Sequence, residues 1–302
     1  MHQQRWDLGT GDWAHEMRAY LELLRPANVV TAISDVLAGF AVAGLLNWPA
    51  LPWLLVSTAC LYGGGVVLND VFDRDIDRLE RPERPIPSGR ITLRGAATSG
   101  GVLLAAGVGA GWMATAAAGW IATTIAALVL LYDAWGKRHV LVGPINMALC
   151  RALNLLLGVA AVPAALAAWW PLAGIPLLYI WAVTTLSRGE VHGGTRRAST
   201  SALISLSLAL LILATVTVRA EASRVAALLL AGLLSWRVLP PFWAAWREPA
   251  SATIRAAVRH GVLALVLLDA ALGAAFGGAA WGAVILGTGL GAAWLARRFA
   301  VT

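Results

Sequence analysis

Ten apolar segments, each about as long as a bilayer is thick, constrain this chain more than any other feature. A membrane-spanning helix needs about 20 predominantly apolar residues. In lipid the backbone must satisfy its own hydrogen bonds, so segments of this kind form helices. The sequence therefore predicts an all-α transmembrane bundle of nine or ten helices, drawn from residues 28–46, 50–70, 96–114, 117–135, 143–163, 171–187, 201–218, 224–239, 261–277 and 279–296.

Composition agrees with a lipid environment and argues against a soluble or nucleic-acid-binding protein. Only 13% of the 302 residues are charged, against about a quarter in a typical soluble domain. No polar stretch is long enough to fold alone. We therefore expect one integral membrane domain over residues 1–302, with residues 1–27 as a cytoplasmic interfacial segment and residues 28–298 as the bundle. No nucleic-acid partner is expected.

The distribution of basic residues predicts the orientation of the bundle. If the amino terminus is cytoplasmic and all ten segments cross, every basic loop residue from Arg74 onward lies inside except Arg219 and Arg224. Cytoplasmic loops of membrane proteins carry this kind of lysine and arginine excess. The pattern places the polar motifs described below on the cytoplasmic side of a bacterial inner (cytoplasmic) membrane.

An acidic cluster ends the second apolar segment. Six of the sixteen acids lie between Asp70 and Glu83. On a continuing helix, Asp70, Asp73 and Asp77 share one face, where their like charges repel unless a cation joins them. Mg²⁺ typically takes one or two carboxylates and leaves its other positions to water and substrate phosphates. The alternative is a solvated acidic cap at the membrane surface.

A proline- and arginine-rich loop, residues 81–90, follows at once. Arginine binds phosphate oxygens through two parallel hydrogen bonds, so acids and arginines together indicate a Mg²⁺–diphosphate site. The motif Asn69-Asp70-x-x-Asp73-x-x-x-Asp77, followed by Arg84-Pro-Ile-Pro-Ser-Gly, resembles the UbiA superfamily of intramembrane prenyltransferases.

The resemblance implies roles for individual residues. Mg²⁺ is expected at Asp70, Asp73 and Asp77. The prenyl diphosphate is expected to contact Asn69, Arg81, Arg84 and Lys137, and Asn28 matches the family's entry to its first span. Asp70, Asp73 and Lys137 are the expected catalytic groups. On charge alone, Lys137 is equally well explained as an anchor at the cytoplasmic surface.

Polar residues inside the spans pose a separate question. Arg151 and Asn154 lie on one face of the fifth segment, and ionisable groups in a membrane generally face a cavity or a partner. They are candidate substrate contacts. The alternative is a contact between helices, with Asp35 or Asp269 as the partner of Arg151.

The second polar motif departs from the family pattern. Where the family has a further aspartate pair after the sixth span, this chain has Ser187-Arg188-Gly189-Glu190-Val191-His192. Glu190 is a candidate Mg²⁺ ligand, whereas His192 is a poor ligand for a hard ion and is expected to contact substrate. This variant motif is most similar to an EboC-like branch of the superfamily.

The function that follows is Mg²⁺-dependent transfer of an isoprenoid chain from a prenyl diphosphate to a small aromatic or lipophilic acceptor, in contact with membrane lipids. The acceptor itself is not encoded in any of these motifs. A transporter or lipid-handling protein with the same fold is the alternative, and the altered second motif favours it.

Overall fold

The structure, a computed structural model, describes residues 12–296 and is helical throughout the bundle. Apolar helices α2, α3, α5–α7 and α9–α13 correspond in order to the ten predicted segments. The helices are α1 (Asp12–Leu24), α2 (Pro26–Val42), α3 (Leu51–Phe72), α4 (Arg74–Glu80), α5 (Leu93–Ala114), α6 (Ala116–Ala134), α7 (Val142–Val159), α8 (Pro163–Trp169), α9 (Gly174–Ser187), α10 (Arg196–Val218), α11 (Arg224–Arg247), α12 (Ser251–Gly277) and α13 (Ala279–Ala296).

The described helices confirm an integral membrane bundle. Eight of them, counting α8 and α9 as one span, are long and apolar enough to cross a membrane, and the bent pair α1–α2 makes a ninth. The apolar helix α13 is shorter over its described length. Residues 1–11, part of the predicted interfacial segment, lie outside the described part of the chain. So do residues 297–302, which include Arg297 and Arg298, both predicted to be cytoplasmic.

Two predicted spans were too short at the end that carries the polar motifs. The eighth continues to Arg247 and the ninth begins at Ser251, although the apolar pattern covers only residues 224–239 and 261–277. Hydropathy detects the part of a helix in lipid, whereas the hydrogen-bonded helix continues into the polar layer. The sixth span differs at its other end, since Pro163 starts α8 before the predicted first residue, 171.

Consecutive helices pack side by side, and α12 returns to α2, so the bundle closes on itself. Helices α2 and α7 also pack directly on one another. A Cβ at Gly39 would overlap the carbonyl oxygen of Leu155, and one at Gly158 would overlap that of Val36. These glycines therefore allow the two backbones to touch.

Helix α13 covers α2 and α12 from outside. The indole Nε1 of Trp281 donates a 2.9 Å hydrogen bond to the carbonyl oxygen of Leu37. The same ring packs edge-on against Trp48, with centroids 5.7 Å apart. The last apolar segment is therefore an integral part of the bundle.

Candidate functional site

The site lies at the end of the bundle where α2 begins and α3, α6 and α9 end, which we call the motif end. Asp70, in the last turn of α3, is largely buried, with 5% of its side chain exposed. Its Oδ1 atom lies 2.7 Å from Arg25 Nη2 and 3.3 Å from Arg84 Nη1. Two guanidinium groups therefore converge on one carboxylate.

Arg25 reaches Asp70 because of an unusual backbone. It is the single residue between α1 and α2, with φ 47° and ψ 65° in the left-handed region. Pro26 follows, and a proline disfavours the right-handed helical conformation in the residue before it. The chain therefore bends by 47° between these helices, and the bend brings the Arg25 side chain to the end of α3.

Arg84 is held by the loop that the sequence singled out. Its carbonyl oxygen accepts hydrogen bonds from the backbone nitrogen and the hydroxyl of Ser88, at 3.0 and 2.7 Å. Gly89 closes the turn with φ 77°. The guanidinium points inward, where Nη1 lies 2.7 Å from Asp77 Oδ2. Arg84 therefore links Asp70 to Asp77.

The predicted face of three acids is present, although the helix is interrupted within it at Asp73. Asp73 ends α3 and precedes α4, and its backbone nitrogen and oxygen continue the hydrogen-bond ladder to Asn69 and Asp77. Its Oδ1 atom lies 2.6 Å from Lys137 Nζ. Asp75 points away, with 72% of its side chain exposed.

Asn69 reveals a further acid that the sequence analysis did not select. Its Nδ2 atom donates a 2.8 Å hydrogen bond to Oδ1 of Asp133, at the end of α6. Asp133 is buried, and its Oδ2 atom accepts no hydrogen bond from any described residue. Lys137 follows it by four residues, so one turn of chain presents both a carboxylate and an ammonium group to the acidic motif.

Arg188 is a second unselected residue at the site. It follows α9, and its Nη1 atom lies 3.8 Å from the position that a Cβ would occupy on Gly143, at the start of α7. An exposed cation from the second polar motif therefore faces the loop that carries Lys137.

Glu190 faces arginines, not the acids of the first motif. Its carbonyl oxygen accepts a 2.8 Å hydrogen bond from Arg255 Nη1. Partial burial raises the pKa of its carboxyl group, and the nearby charges of Arg255 and Arg81 oppose that rise. His192, two residues on, is exposed. The predicted substrate contact Arg81 is also exposed.

A Mg²⁺ ion fits the oxygen donors of the first motif. Within residues 12–296, no three acid, histidine or cysteine side chains are close enough to enclose a metal. The predicted set of Asp70, Asp73 and Asp77 is therefore not gathered around one point, and Glu190 does not complete a set with them. Two carboxylates are sufficient for Mg²⁺ when substrate phosphates supply further oxygens. Asp70 and Asp73, now engaged by cationic side chains, are the candidate pair.

Arg151 and Asn154 belong to a different cluster, inside the membrane. Arg151 Nε lies 2.7 Å from Asp35 Oδ2, and its Nη2 donates to the carbonyl oxygen of Thr31 at 2.7 Å. Asn154 donates to Asp35 at 2.8 Å and accepts from Thr58 at 2.7 Å. Arg151 and Asn154, both predicted substrate contacts, therefore form hydrogen bonds with residues of neighbouring helices.

The same cluster extends to α12. Asp269 accepts a 2.5 Å hydrogen bond from Ser34 of α2. Asp269 and Asp35 are both about 1% exposed. We call Asp35, Arg151, Asn154 and Asp269 the intramembrane network. The predicted contact Asn28 is nearer the site: it lies in the first turn of α2, one turn after Arg25.

Comparison with known proteins shows which family this chain resembles. Residues 30–258 match the model of the UbiA prenyltransferase family. The chain is 35% identical over 144 residues, 47% of its length, to digeranylgeranylglyceryl phosphate synthase of Methanothermobacter thermautotrophicus. It is 33% identical over 184 residues, 59% of its length, to the enzyme of that name from Ignicoccus hospitalis. The chain spans only 50% and 59% of these two relatives, and they are not specifically EboC-like.

Solved structures share the fold. One described as concerning digeranylgeranylglyceryl phosphate synthase in membranes has a TM-score of 0.68 at 21% identity and covers 86% of this chain and 98% of its own. A UbiA homologue from Archaeoglobus fulgidus, bound to GPP and Mg²⁺, has a TM-score of 0.59 at 16% identity and covers 84% and 99%. With the family model matched over most of the bundle, the chain belongs to the UbiA prenyltransferase family.

Proposed function

We propose that this protein transfers an isoprenoid chain from a prenyl diphosphate to a lipid-soluble acceptor. The observation that carries the proposal is the pairing of Lys137 with Asp73 and of Arg84 with Asp70 and Asp77 at the motif end. These pairs place carboxylates for a metal beside cations for phosphate. The spans extend from this point into lipid, where a prenyl chain belongs.

The diphosphate is expected to bind between the two polar motifs. Lys137 and Arg84 approach from the first half of the chain, and Arg188 from the second half. The donor brings its own negative charges, so its arrival lets each cation exchange a carboxylate for a phosphate oxygen. The carboxylates released in this way become available to a cation.

Mg²⁺ is the cation that we propose, with Asp70 and Asp73 as its ligands and Asp77 adjacent. Bound there, it would neutralise negative charge on the diphosphate. The relative from Archaeoglobus fulgidus was solved with GPP and Mg²⁺, which supports this assignment. Asn69 positions Asp133 beside the same acids through its 2.8 Å hydrogen bond.

The reaction breaks one bond and forms another. The allylic carbon–oxygen bond of the donor breaks, and its electron pair leaves with the diphosphate, held by Arg84, Lys137 and Arg188. The acceptor's nucleophilic atom bonds to the allylic carbon, and its proton passes to the departing diphosphate. Fixed cations that face developing negative charge are an effective means of lowering such a barrier. The apolar helices keep water from capturing the allylic carbon first.

For the acceptor we propose a glyceryl phosphate lipid, narrowing the aromatic or lipophilic class that the motifs predict. The support is the name shared by the relatives, digeranylgeranylglyceryl phosphate synthase. The assignment to an EboC-like branch and the cytoplasmic orientation of the motif end stay predictions.

The test is turnover by the purified full chain. We expect pyrophosphate release from labelled prenyl diphosphates with Mg²⁺ to require a geranylgeranylglyceryl phosphate acceptor, and EDTA to abolish it. An aromatic acid acceptor in the same assay separates the two acceptor classes. Donor binding without turnover, with lipid extracts from several sources supplied as acceptors, would contradict transfer activity.

A second candidate is a lipid-handling protein without transfer activity. One observation favours it: within residues 12–296 no three acid, histidine or cysteine side chains are placed to hold a metal, so Glu190 does not complete a ligand set with the first motif. Such a protein would bind prenyl diphosphate and leave it intact, so the same assay distinguishes the two functions.

A further inference from the structure

An open groove of about 480 Å³ lies on the outer face of α10, outside the site described above. Its polar lining occupies the first turns of the helix, where the chain enters the membrane at the motif end. The lining residues are Arg196, Arg197, Thr200, Ser201, Ile204 and Ser205.

The groove is positively charged. Helix α10 contains two arginines and no acidic residue. Arg196 lies over the ring of Trp246, 4.3 Å from its centroid, and donates to the carbonyl oxygen of Arg247 at 3.3 Å. These contacts fix the direction of its guanidinium and leave its charge without a carboxylate on α10.

Two tryptophans set the depth of the groove. Trp246 donates through Nε1 to Thr200 at 3.1 Å, and Trp181 donates to Ser201 at 3.4 Å. Tryptophan is enriched at the level of the lipid head groups because its ring is apolar and its N–H is polar. The arginines and hydroxyl groups of the groove therefore lie at the depth of lipid phosphates.

Below the polar turns, the same face of α10 becomes apolar and remains uncovered. Residues 197, 201, 204, 208 and 211 follow one another at helical spacing along one face. Ile204 is 63% exposed and Leu211 61%, with Leu208 between them also exposed. The face is thus basic at the head-group level and hydrocarbon-like beneath it, which is the order of chemistry along a phospholipid.

We infer that this groove is a binding site for one anionic glycerophospholipid, whose phosphate lies on Arg196 and Arg197 and whose acyl chain follows Ile204, Leu208 and Leu211. Basic pockets on membrane helices bind anionic head groups in this way. A free phosphate would satisfy the arginines but leave the apolar half of the face uncovered, so we commit to a lipid.

Native mass spectrometry of the full chain in detergent tests this site, with phosphatidylglycerol and phosphatidylcholine added in equal amounts. We expect one phosphatidylglycerol to be retained in preference to phosphatidylcholine. Arg197→Gln should weaken retention roughly fivefold, since one arginine near an anionic membrane surface contributes about that factor. Arg224→Gln, an exposed arginine at the other end of the bundle, is the matched control and should change nothing.

Binding of a prenyl thiodiphosphate to Arg197→Gln should equal that of the parent, which shows that the fold and the separate donor site are intact. Equal retention of both lipids, or an equal loss in Arg224→Gln, would overturn the inference. Displacement of phosphatidylglycerol by inorganic phosphate alone would also overturn it, because the site would then recognise an anion and not a lipid.

Discussion

The protein uses the same chemical groups, aspartate and arginine, in two regions that differ in their surroundings. At the motif end, Asp73 keeps 23% of its side chain exposed and Lys137 keeps 15%. In the intramembrane network, Asp35 and Asp269 are about 1% exposed. The first set can exchange partners with an incoming ligand, whereas the second set has no ligand to exchange with.

This difference indicates which ion pairs have a functional role and which are structural. A charge buried in a membrane is costly unless paired, and removing one partner leaves the other uncompensated. The pairs at the motif end are held by the same attraction, but water and substrate can replace either member. Position at the motif end, not residue type, therefore separates acids available for chemistry from structural acids, since Asp70 is largely buried as well.

The largest effect should come from breaking the buried pair. Asp35→Asn leaves Arg151 without its 2.7 Å partner, and such a loss costs about 3–5 kcal/mol. We expect a large fall in the apparent Tm, as measured by fluorescence-detected size-exclusion chromatography. The double variant Asp35→Asn/Arg151→Gln should recover part of the loss, because it removes both charges. An unchanged Tm in the single variant would show that the network is not structural.

Acids at the motif end should behave in the opposite way. Asp70→Asn and Asp73→Asn should each lower turnover by roughly 10²–10³-fold, as loss of one stabilising group in an active site does, with little change in Tm. Asp75→Asn, an exposed acid of the same motif, is the matched control. Equal loss of activity in the Asp75 variant would refute the assignment of the three-acid face.

Glu190 tests whether the second motif resembles the first. If it ligates Mg²⁺, as the sequence predicts, Glu190→Gln raises the Mg²⁺ concentration needed to bind a prenyl thiodiphosphate, and Glu190→Asp restores part of that binding. Because its neighbours are Arg81 and Arg255, we expect a smaller effect than at Asp73. Calorimetric titration at several Mg²⁺ concentrations measures the midpoint, and His192→Asn should leave it unchanged.

The smallest effect is expected within the network itself. Asp269 accepts a hydrogen bond from Ser34, and the oxygen of an amide at this position can accept the same bond. Arg151 lies against Asp35, so this change leaves its ion pair in place. Asp269→Asn should therefore keep a nearly normal Tm, in contrast to Asp35→Asn. A loss as large as that of Asp35→Asn would show that Arg151 depends on Asp269 as much as on Asp35.

Much of this arrangement could be predicted from the sequence, because local patterns carry it. The apolar segments predicted the bundle, and helical spacing predicted the shared face of Asp70, Asp73 and Asp77. The partners of these acids could not be predicted in the same way. Arg25 lies 45 residues from Asp70, and Asn69 lies 64 residues from Asp133. Such pairs depend on how helices pack, which a single sequence does not reveal.

For Arg151 the sequence left two partners open, Asp35 and Asp269, and the structure pairs it with Asp35. The polarity of this segment was correctly identified as unusual. What could not be predicted was that Arg151 and Asn154 face other helices, since a helix face can border a cavity or a neighbour with the same pattern of residues.

The contact between Trp281 and Leu37 has a consequence for the order of events during synthesis. The two residues are 244 positions apart, so at about 5–20 residues per second the indole is made on the order of 10–50 s after the carbonyl that it binds. Over nearly the same interval Ser34 lacks its partner on α12, 235 positions away. Helix α2 thus enters the membrane early, bearing a carboxylate, and receives its last neighbours when almost all of the chain has been made. Its early residence must be sustained by lipid or by the insertion machinery, because the bundle closes only after α12 has emerged and α13 covers it last.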